Sequence, residues 1–450
     1  MSAPIPTVRG ALPILGNMGA LVTGSPWDVT EGWLREYGPV VSFQIPGGTW
    51  LVTKDLAMIR HVLVQNAEGY VKEATSFAAF RDVLGGGLLT SDHELWRRHR
   101  AILGRAFRID ALRGIPGITQ RAALRLFERW DAAARAGQEV DVGVDFRALT
   151  LEVIAEACLG MSAEESDAVL PRLYEPIVAE CNRRVWQPFR AALPLPATLR
   201  FRRRLRELDA FLGAKIDARR REGPRTGEGA DMLDMLLLGV AEVPWSEALR
   251  DLLCDELKTM LFAGHDTSSA MLTWTLHAVS KDAGLFARLR AEADAVLPGG
   301  ELPSYEGLKG LEVAQACLKE ALRLYNVVPV VTREARVDDA VAGYSIPRGT
   351  RLMIHLQAVH LDPENWPDPT RFDPDRFLGG ASPGYRWLPF ITGPRSCVGQ
   401  HFSLLEAKIV LALLCQRYGL RPARGNSDLR HRYQAPIAPR APIRIGLEAR

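Results

Sequence analysis

The chain has 450 residues, 47% apolar and 24% charged, enough for a large buried core in one big or two smaller domains. Its formal net charge of +3 is too slight to argue for a nucleic-acid partner. Six cysteines are widely scattered with no C-x-x-C pair, which suits reduced thiols in a cytosol better than a disulfide framework or a zinc site.

Residues 11–23 are mildly apolar but interrupted by Pro13, Gly16, Asn17 and Gly19. That stretch is too short and broken to span a bilayer and no basic segment precedes it, so no integral membrane anchor is expected. Val40–Ile45, then Pro46-Gly47-Gly48, then Thr49–Thr53 reads as a hairpin with a glycine-containing turn. From 94 to 325 the period is mostly helical, with breaks near Gly137, at Pro194 and Pro196, over 222–229 and at Pro298–Gly300. A second short strand pair is expected to flank Pro347–Thr350. The pattern predicts a mainly α chain with a minor β part, read as a single domain over 1–450. Its β-rich parts are about 38–54 and 330–356, and its helix-rich part is about 94–325.

Several motifs stand on these elements. Trp96-Arg-Arg-His-Arg100 opens the helical region, with Trp96 and Arg100 facing one way at i,i+4; Arg97 and Arg98 read as a solvated basic face. A long apolar run from Leu252 to Val279 contains Ala263-Gly264-His265-Asp266-Thr267-Ser268. A glycine inside a helix costs about 1 kcal/mol relative to alanine, so Gly264 calls for a packing or functional reason. Glu320 and Arg323 are i,i+3 and can pair, although E-x-x-R alone is common on amphipathic helices.

The richest stretch comes last, Phe390-Ile-Thr-Gly393-Pro-Arg395-Ser-Cys397-Val-Gly399. A thiolate in such a turn can be the axial ligand of a haem iron, donating electron density that favours O–O cleavage. Gly393 and Gly399 permit backbone geometry and close approach that a Cβ would forbid. Phe390 can pack beside the sulfur, and Arg395 can reach an acidic haem side chain. The competing reading is a buried free cysteine in an ordinary strand-to-helix turn.

The stretch F-x-x-G-x-R-x-C-x-G resembles the cytochrome P-450 family of haem-thiolate monooxygenases, and further matches fall in the family's order from about Trp96 to Phe402. The resemblance implies a helical bundle around haem with a small β-sheet region. It implies haem b (iron protoporphyrin IX) with Cys397 as the metal ligand, and O2 as co-substrate. In the family's distal motif Thr267 bonds back to the carbonyl of Ala263 and opens a local groove, and Gly264 leaves space for dioxygen. Thr267 and Asp266 then deliver protons, while His265 is a pocket or facing residue. Arg376, in Phe372-Asp-Pro-Asp-Arg376-Phe377, is the implied third member of a buried triad with Glu320 and Arg323. Trp96, Arg100, Arg333 and Arg395 are the implied partners of the haem propionates.

By the same resemblance the substrate pocket draws on Phe77, Phe80, Leu261, Phe262, Val327, Val328, Val330 and the tail near Pro436 and Ile437. These mostly apolar residues argue for a lipophilic small-molecule substrate, and equally suit plain core. Electrons are expected from NAD(P)H through a ferredoxin- or flavodoxin-type donor with its reductase. The expected protein is a monomeric, cytoplasmic enzyme of the soluble bacterial type. A peroxide-using haem-thiolate peroxygenase or isomerase is the alternative, against which Asp266 and Thr267 argue. A haem sensor is the third class and would need an output module.

Overall fold

The computed structural model describes residues 4–187, 189–193, 195–380, 382–422, 439 and 441–449. The strands are β1 (Val40–Ile45), β2 (Gly48–Thr53), β3 (Tyr70–Val71), β4 (Glu139–Asp141), β5 (Val330–Ala335), β6 (Asp339–Val341), β7 (Tyr344–Ile346), β8 (Arg351–His355), β9 (Tyr418–Pro422) and β10 (Arg444–Ala449). The chain forms two compact units, each discontinuous in sequence.

The first unit comprises residues 1–77, 320–373 and 379–397. Its five-stranded sheet has the order β1-β2-β8-β5-β3. The expected hairpin is present: β1 and β2 are antiparallel from Val40 opposite Thr53 to Ile45 opposite Gly48, with Gly47 and Gly48 at φ +97° and +128° in the turn. Strict alternation makes the sheet two-sided. Val40, Leu51, Leu352 and Ile354 enter one apolar cluster, while Val41, Phe43, Trp50 and Val52 enter another with Trp33 and Leu34. Strands do flank Pro347–Thr350, but they do not pair with each other as expected. β7 pairs with β6, whereas β8 pairs with β2 in parallel and with β5 antiparallel.

The second unit, residues 78–319, 374–378 and 398–450, is mostly helical. The apolar run centred on residue 265 is a single helix, Glu247–Val279, whose Ser246 side chain accepts the N–H of Leu249. Packed on it is Val142–Leu159, capped by the Asp141 carboxylate and closed by Gly160 at φ +62°. The breaks expected near Gly137 and over 222–229 fall at the ends of helices Ile115–Arg135 and Pro196–Glu222. Pro196 opens the latter; Pro194 lies outside the described residues. A three-stranded sheet, β4-β10-β9, was not expected, because three short strands far apart in sequence carry no shared local signal.

Candidate functional site

The cysteine loop belongs to the first unit. Cys397 donates its N–H to the carbonyl of Phe390 at 3.0 Å, and Ser396 donates to that of Gly393 at 3.0 Å, so the segment closes into a tight double turn. Gly393 sits at φ +78°, and a Cβ there would lie 2.0 Å from the carbonyl oxygen of Leu63. No other residue fits. Ile391 is at φ +49°, a left-handed conformation that a β-branched residue rarely takes and that costs ~1–3 kcal/mol. The ring of Phe390 meets that of Trp387 edge-on at 5.9 Å.

The thiols divide sharply. Cys158, Cys181, Cys254, Cys317 and Cys415 are buried, and only Cys397 is exposed. Burial pushes the Cys254 thiol up to about 11 and that of Cys181 up to about 12, and raises the other three as well. Those five are inert core thiols, so the buried-cysteine reading fails for Cys397 alone.

Elsewhere in this unit Glu320 and Arg323, both fully buried, meet in a two-bond ion pair: Nε and Nη2 of Arg323 donate to the carboxylate at 2.7 and 2.8 Å. Arg323 also donates to the carbonyls of His360, Pro369 and Arg371, and Glu320 accepts the N–H of Asp373. The pair therefore pins the segment 360–373 to the helix Glu312–Leu324. Arg376 lies in the turn Pro374–Phe377 of the second unit. Arg333 is buried in β5, its Nη1 on the Thr332 carbonyl at 2.8 Å, and Arg395 is half-buried. Of the expected pocket residues, Val327 is buried and Phe77, Val328 and Val330 are half-buried; Pro436 and Ile437 lie outside the described residues.

In the second unit the long helix supplies a different surface. From Glu256 to Ser280 every residue is buried except Ala263, Gly264 and Thr267. At i, i+1 and i+4 these form one patch on one face, a window in an otherwise covered helix. Thr267 donates its hydroxyl to the carbonyl of Ala263 at 2.5 Å, the expected back-bond. The helix is α-helical from Glu247 to Val279. A Cβ at Gly264 would lie 2.7 Å from Cδ1 of Ile154, so the glycine lets the helix Val142–Leu159 pack closely at this point.

Asp266 points inward, 3% exposed, and its carboxylate pairs with Arg147 at 3.0 Å. Nothing in the sequence singled out Arg147, since the pair joins two helices far apart in the chain. His265 is fully buried, edge-on to Tyr174 at 5.9 Å, and desolvation lowers it to about 4, so it stays neutral. Phe80 packs edge-on against Phe262 at 5.6 Å, while Leu261 is plain core.

Trp96 and Arg100 are half-buried on the helix His93–Ala106. Arg97 and Arg98 are exposed as expected, Arg97 pairing with Glu94 at 3.0 Å. Between Arg98 and Arg100, His99 is buried and bonds to the buried Glu256 of the long helix, a contact that sequence reasoning missed. Gly399 caps the helix Gln400–Arg417. Among the described residues no cluster of three His, Cys, Asp or Glu side chains could hold a bare metal ion. An exposed thiol on a strained loop, with half-buried Arg395 two residues before it and buried Arg333 in the same unit, fits a haem far better than a protein-only metal cage.

A family model described as Cytochrome P450 matches residues 6–440. The chain is 30% identical to the chloroplastic protein LUTEIN DEFICIENT 5 of Arabidopsis thaliana over 86% of its length and 68% of that protein. It is 29% identical to the chloroplastic Carotene epsilon-monooxygenase of the same plant, covering 90% of this chain and 78% of that one. Cytokinin hydroxylase, also from Arabidopsis thaliana, is 29% identical over 86% of the chain and 76% of the relative. Among solved structures, a cytochrome P450DA heme domain superposes with a TM-score of 0.87 at 25% identity, covering 100% of this chain and 98% of that one.

Proposed function

Since the chain belongs to the cytochrome P450 family, we propose that it inserts one oxygen atom of O2 into a lipophilic small molecule, by hydroxylation or epoxidation. The observation that carries this reading is Cys397, the one exposed thiol of six, on the loop clamped at Gly393. In this reading Cys397 would hold the iron of haem b, and Arg333, Arg395, Arg100 and Trp96 its propionates. The bound group would supply the reductive splitting of O2 by two electrons and two protons, with one atom going to substrate and one to water.

The chain's own residues have distinct tasks. Thr267 gives its hydroxyl hydrogen to Ala263 and so presents its oxygen lone pairs at the open patch, where they can hold a water or a proton in transit. Asp266 is the proton relay behind it, a buried carboxylate paired with Arg147 that takes protons from water and passes them on; the Arg147 side chain is 36% exposed, so the pair reaches solvent. Glu320 and Arg323 do no chemistry; they fix the segment before the cysteine loop. Phe262, next to Ala263 in the chain, packs edge-on with half-buried Phe80, an apolar pair that supports a lipophilic substrate. One relative is named for a carotene, a substrate of that class.

Electrons arrive from NAD(P)H through a separate ferredoxin- or flavodoxin-type carrier, for which exposed Arg97 and Arg98 offer a basic face. Among the described residues no helix is long and apolar enough to cross a membrane. The relatives named above are plant proteins, two of them chloroplastic, so the expected bacterial source and cytoplasmic location draw no support from them. The deciding test is an isotope experiment with a surrogate ferredoxin and reductase. A lipophilic compound that shifts the haem spin state should gain one labelled oxygen from O2 per product. Label entering from peroxide alone, with none from O2, would move the enzyme to the peroxide-driven class.

A further inference from the structure

The cysteine loop rests on a short stretch of unusual backbone. His61–Gln65 is a π-turn, closed by the N–H of Asn66 reaching the carbonyl of His61 five residues back at 2.8 Å. Such turns are rare, and they persist only where the surroundings hold them. This one places the Leu63 carbonyl directly against Cα of Gly393, with Val64 beside it, since a Cβ on Gly393 would lie 2.0 Å from the first and 3.3 Å from Cγ2 of the second. Ile391, strained at φ +49°, packs on the same apolar cluster as Leu63 and Leu388.

What holds the π-turn is a single carboxylate from another hairpin. One oxygen of Asp339, at the start of β6, takes Nε2 of His61 at 2.8 Å, Nδ2 of Asn66 at 2.9 Å and the hydroxyl of Tyr70 at 2.8 Å. Its other oxygen takes the N–H of Ala340 at 2.8 Å. The three side chains mark the first residue of the turn, the residue after its last, and the first residue of β3. Gly69 makes room for the arrangement, because a Cβ there would lie 2.7 Å from the Asn66 amide. Charge-assisted bonds of this kind are about twice as strong as neutral ones.

We propose that Asp339 is a positioning residue for the cysteine loop: it locks the His61–Gln65 turn as the shelf on which Gly393, and through it Cys397, is held. The proposal rests on Cys397 being the haem ligand. No residue of the Asp339 cluster is assigned any contact with haem or substrate, so its effect is mechanical. Loosening the shelf frees Gly393 and lets the thiolate leave the iron more often.

The test uses the full haem-loaded chain and two readouts. One is the lifetime, on warming, of the red-shifted Soret band of the reduced carbon monoxide complex. The other is amide hydrogen exchange over 61–71 and 388–399. Asp339→Ala should shorten the band's lifetime about tenfold and raise exchange about tenfold in both segments, the loss expected when a shared charged acceptor is removed. Exchange in the helix Val142–Leu159 should not change. Asp339→Asn, which keeps a carbonyl acceptor, should fall between Ala and the parent. If Asp339→Ala fails to load haem, Tyr70→Phe, which deletes one donor of three, should show the same two effects at a few-fold. Faster exchange confined to 61–71, with 388–399 and the band unchanged, would overturn the proposal. A parent protein with no red-shifted band would instead sink the thiolate reading, while exchange over 388–399 would still decide the role of Asp339.

Discussion

Replacing Glu320 with alanine should cripple folding without touching any group assigned to chemistry. The carboxylate takes two N–H bonds from Arg323 and one from the amide of Asp373, and both charged side chains are 0% exposed. Removing one partner of a buried ion pair costs ~3–5 kcal/mol, because the other charge stays in the interior. Arg323 would keep the carbonyls of His360, Pro369 and Arg371, which puts the loss near the lower end, about 3 kcal/mol. The orphaned Asp373 amide adds about 1 kcal/mol, for a total of about 4 against a typical stability of about 5–15. Glu320→Gln, which keeps an acceptor but not the charge, should lose roughly half as much. Urea unfolding followed by circular dichroism gives the stability, and haem per purified chain gives the consequence. A Glu320→Ala protein within about 1 kcal/mol of the parent and fully loaded with haem would refute the reasoning.

Other outcomes follow from single contacts. Gly264→Ala should gain about 1 kcal/mol of helix propensity but lose more to the collision with Ile154, and Ile154→Ala in the same chain should recover much of it in a double-mutant cycle of thermal melts. Arg147→Ala should destabilise by ~1–3 kcal/mol by stranding the buried Asp266 carboxylate, and adding Asp266→Asn should restore stability in urea but not turnover. Thr267→Ala should leave folding unchanged and divert reducing equivalents to hydrogen peroxide, cutting product per NAD(P)H by up to the ~10²–10⁴-fold typical of a positioned proton-transfer group. Desolvation lowers His265, His277 and His355 to about 4 and His360 to about 3. The unfolded chain binds those protons from about pH 6.5 down while the folded chain does not, so stability falls on acidification, by up to ~1.4 kcal/mol per pH unit for each His. Glu406, pushed up to about 8 by burial, works the other way and offsets one of the four; a urea midpoint that does not move between pH 7 and 5 would contradict the net effect.

Much of the fold was legible because its signals are local. The β1–β2 hairpin announced itself by alternation around two glycines, and the long helix by its apolar length. The Glu320–Arg323 pair lies within one helical turn, so residue type and spacing sufficed to place it, while the Thr267 back-bond was what the family resemblance implied. What stayed hidden is what the tertiary structure brings together. Arg147 meets Asp266, His99 meets Glu256, and Asp339 gathers His61, Asn66 and Tyr70 across distances that no local pattern spans. The approach of Ile154 to Gly264 stayed hidden for the same reason: a glycine in a helix signals close approach, but the sequence does not say which residue packs there.

The central claim is that the one exposed thiol of this chain ligates a haem iron, and the absorption spectrum of the reduced protein under carbon monoxide tests it most directly. The parent should show a strongly red-shifted Soret band, and Cys397→Ala should lose that band and all monooxygenase turnover, since the loop holds no other soft sulfur donor. An ordinary haem–carbon monoxide band in the parent, or normal turnover in Cys397→Ala, would contradict the account.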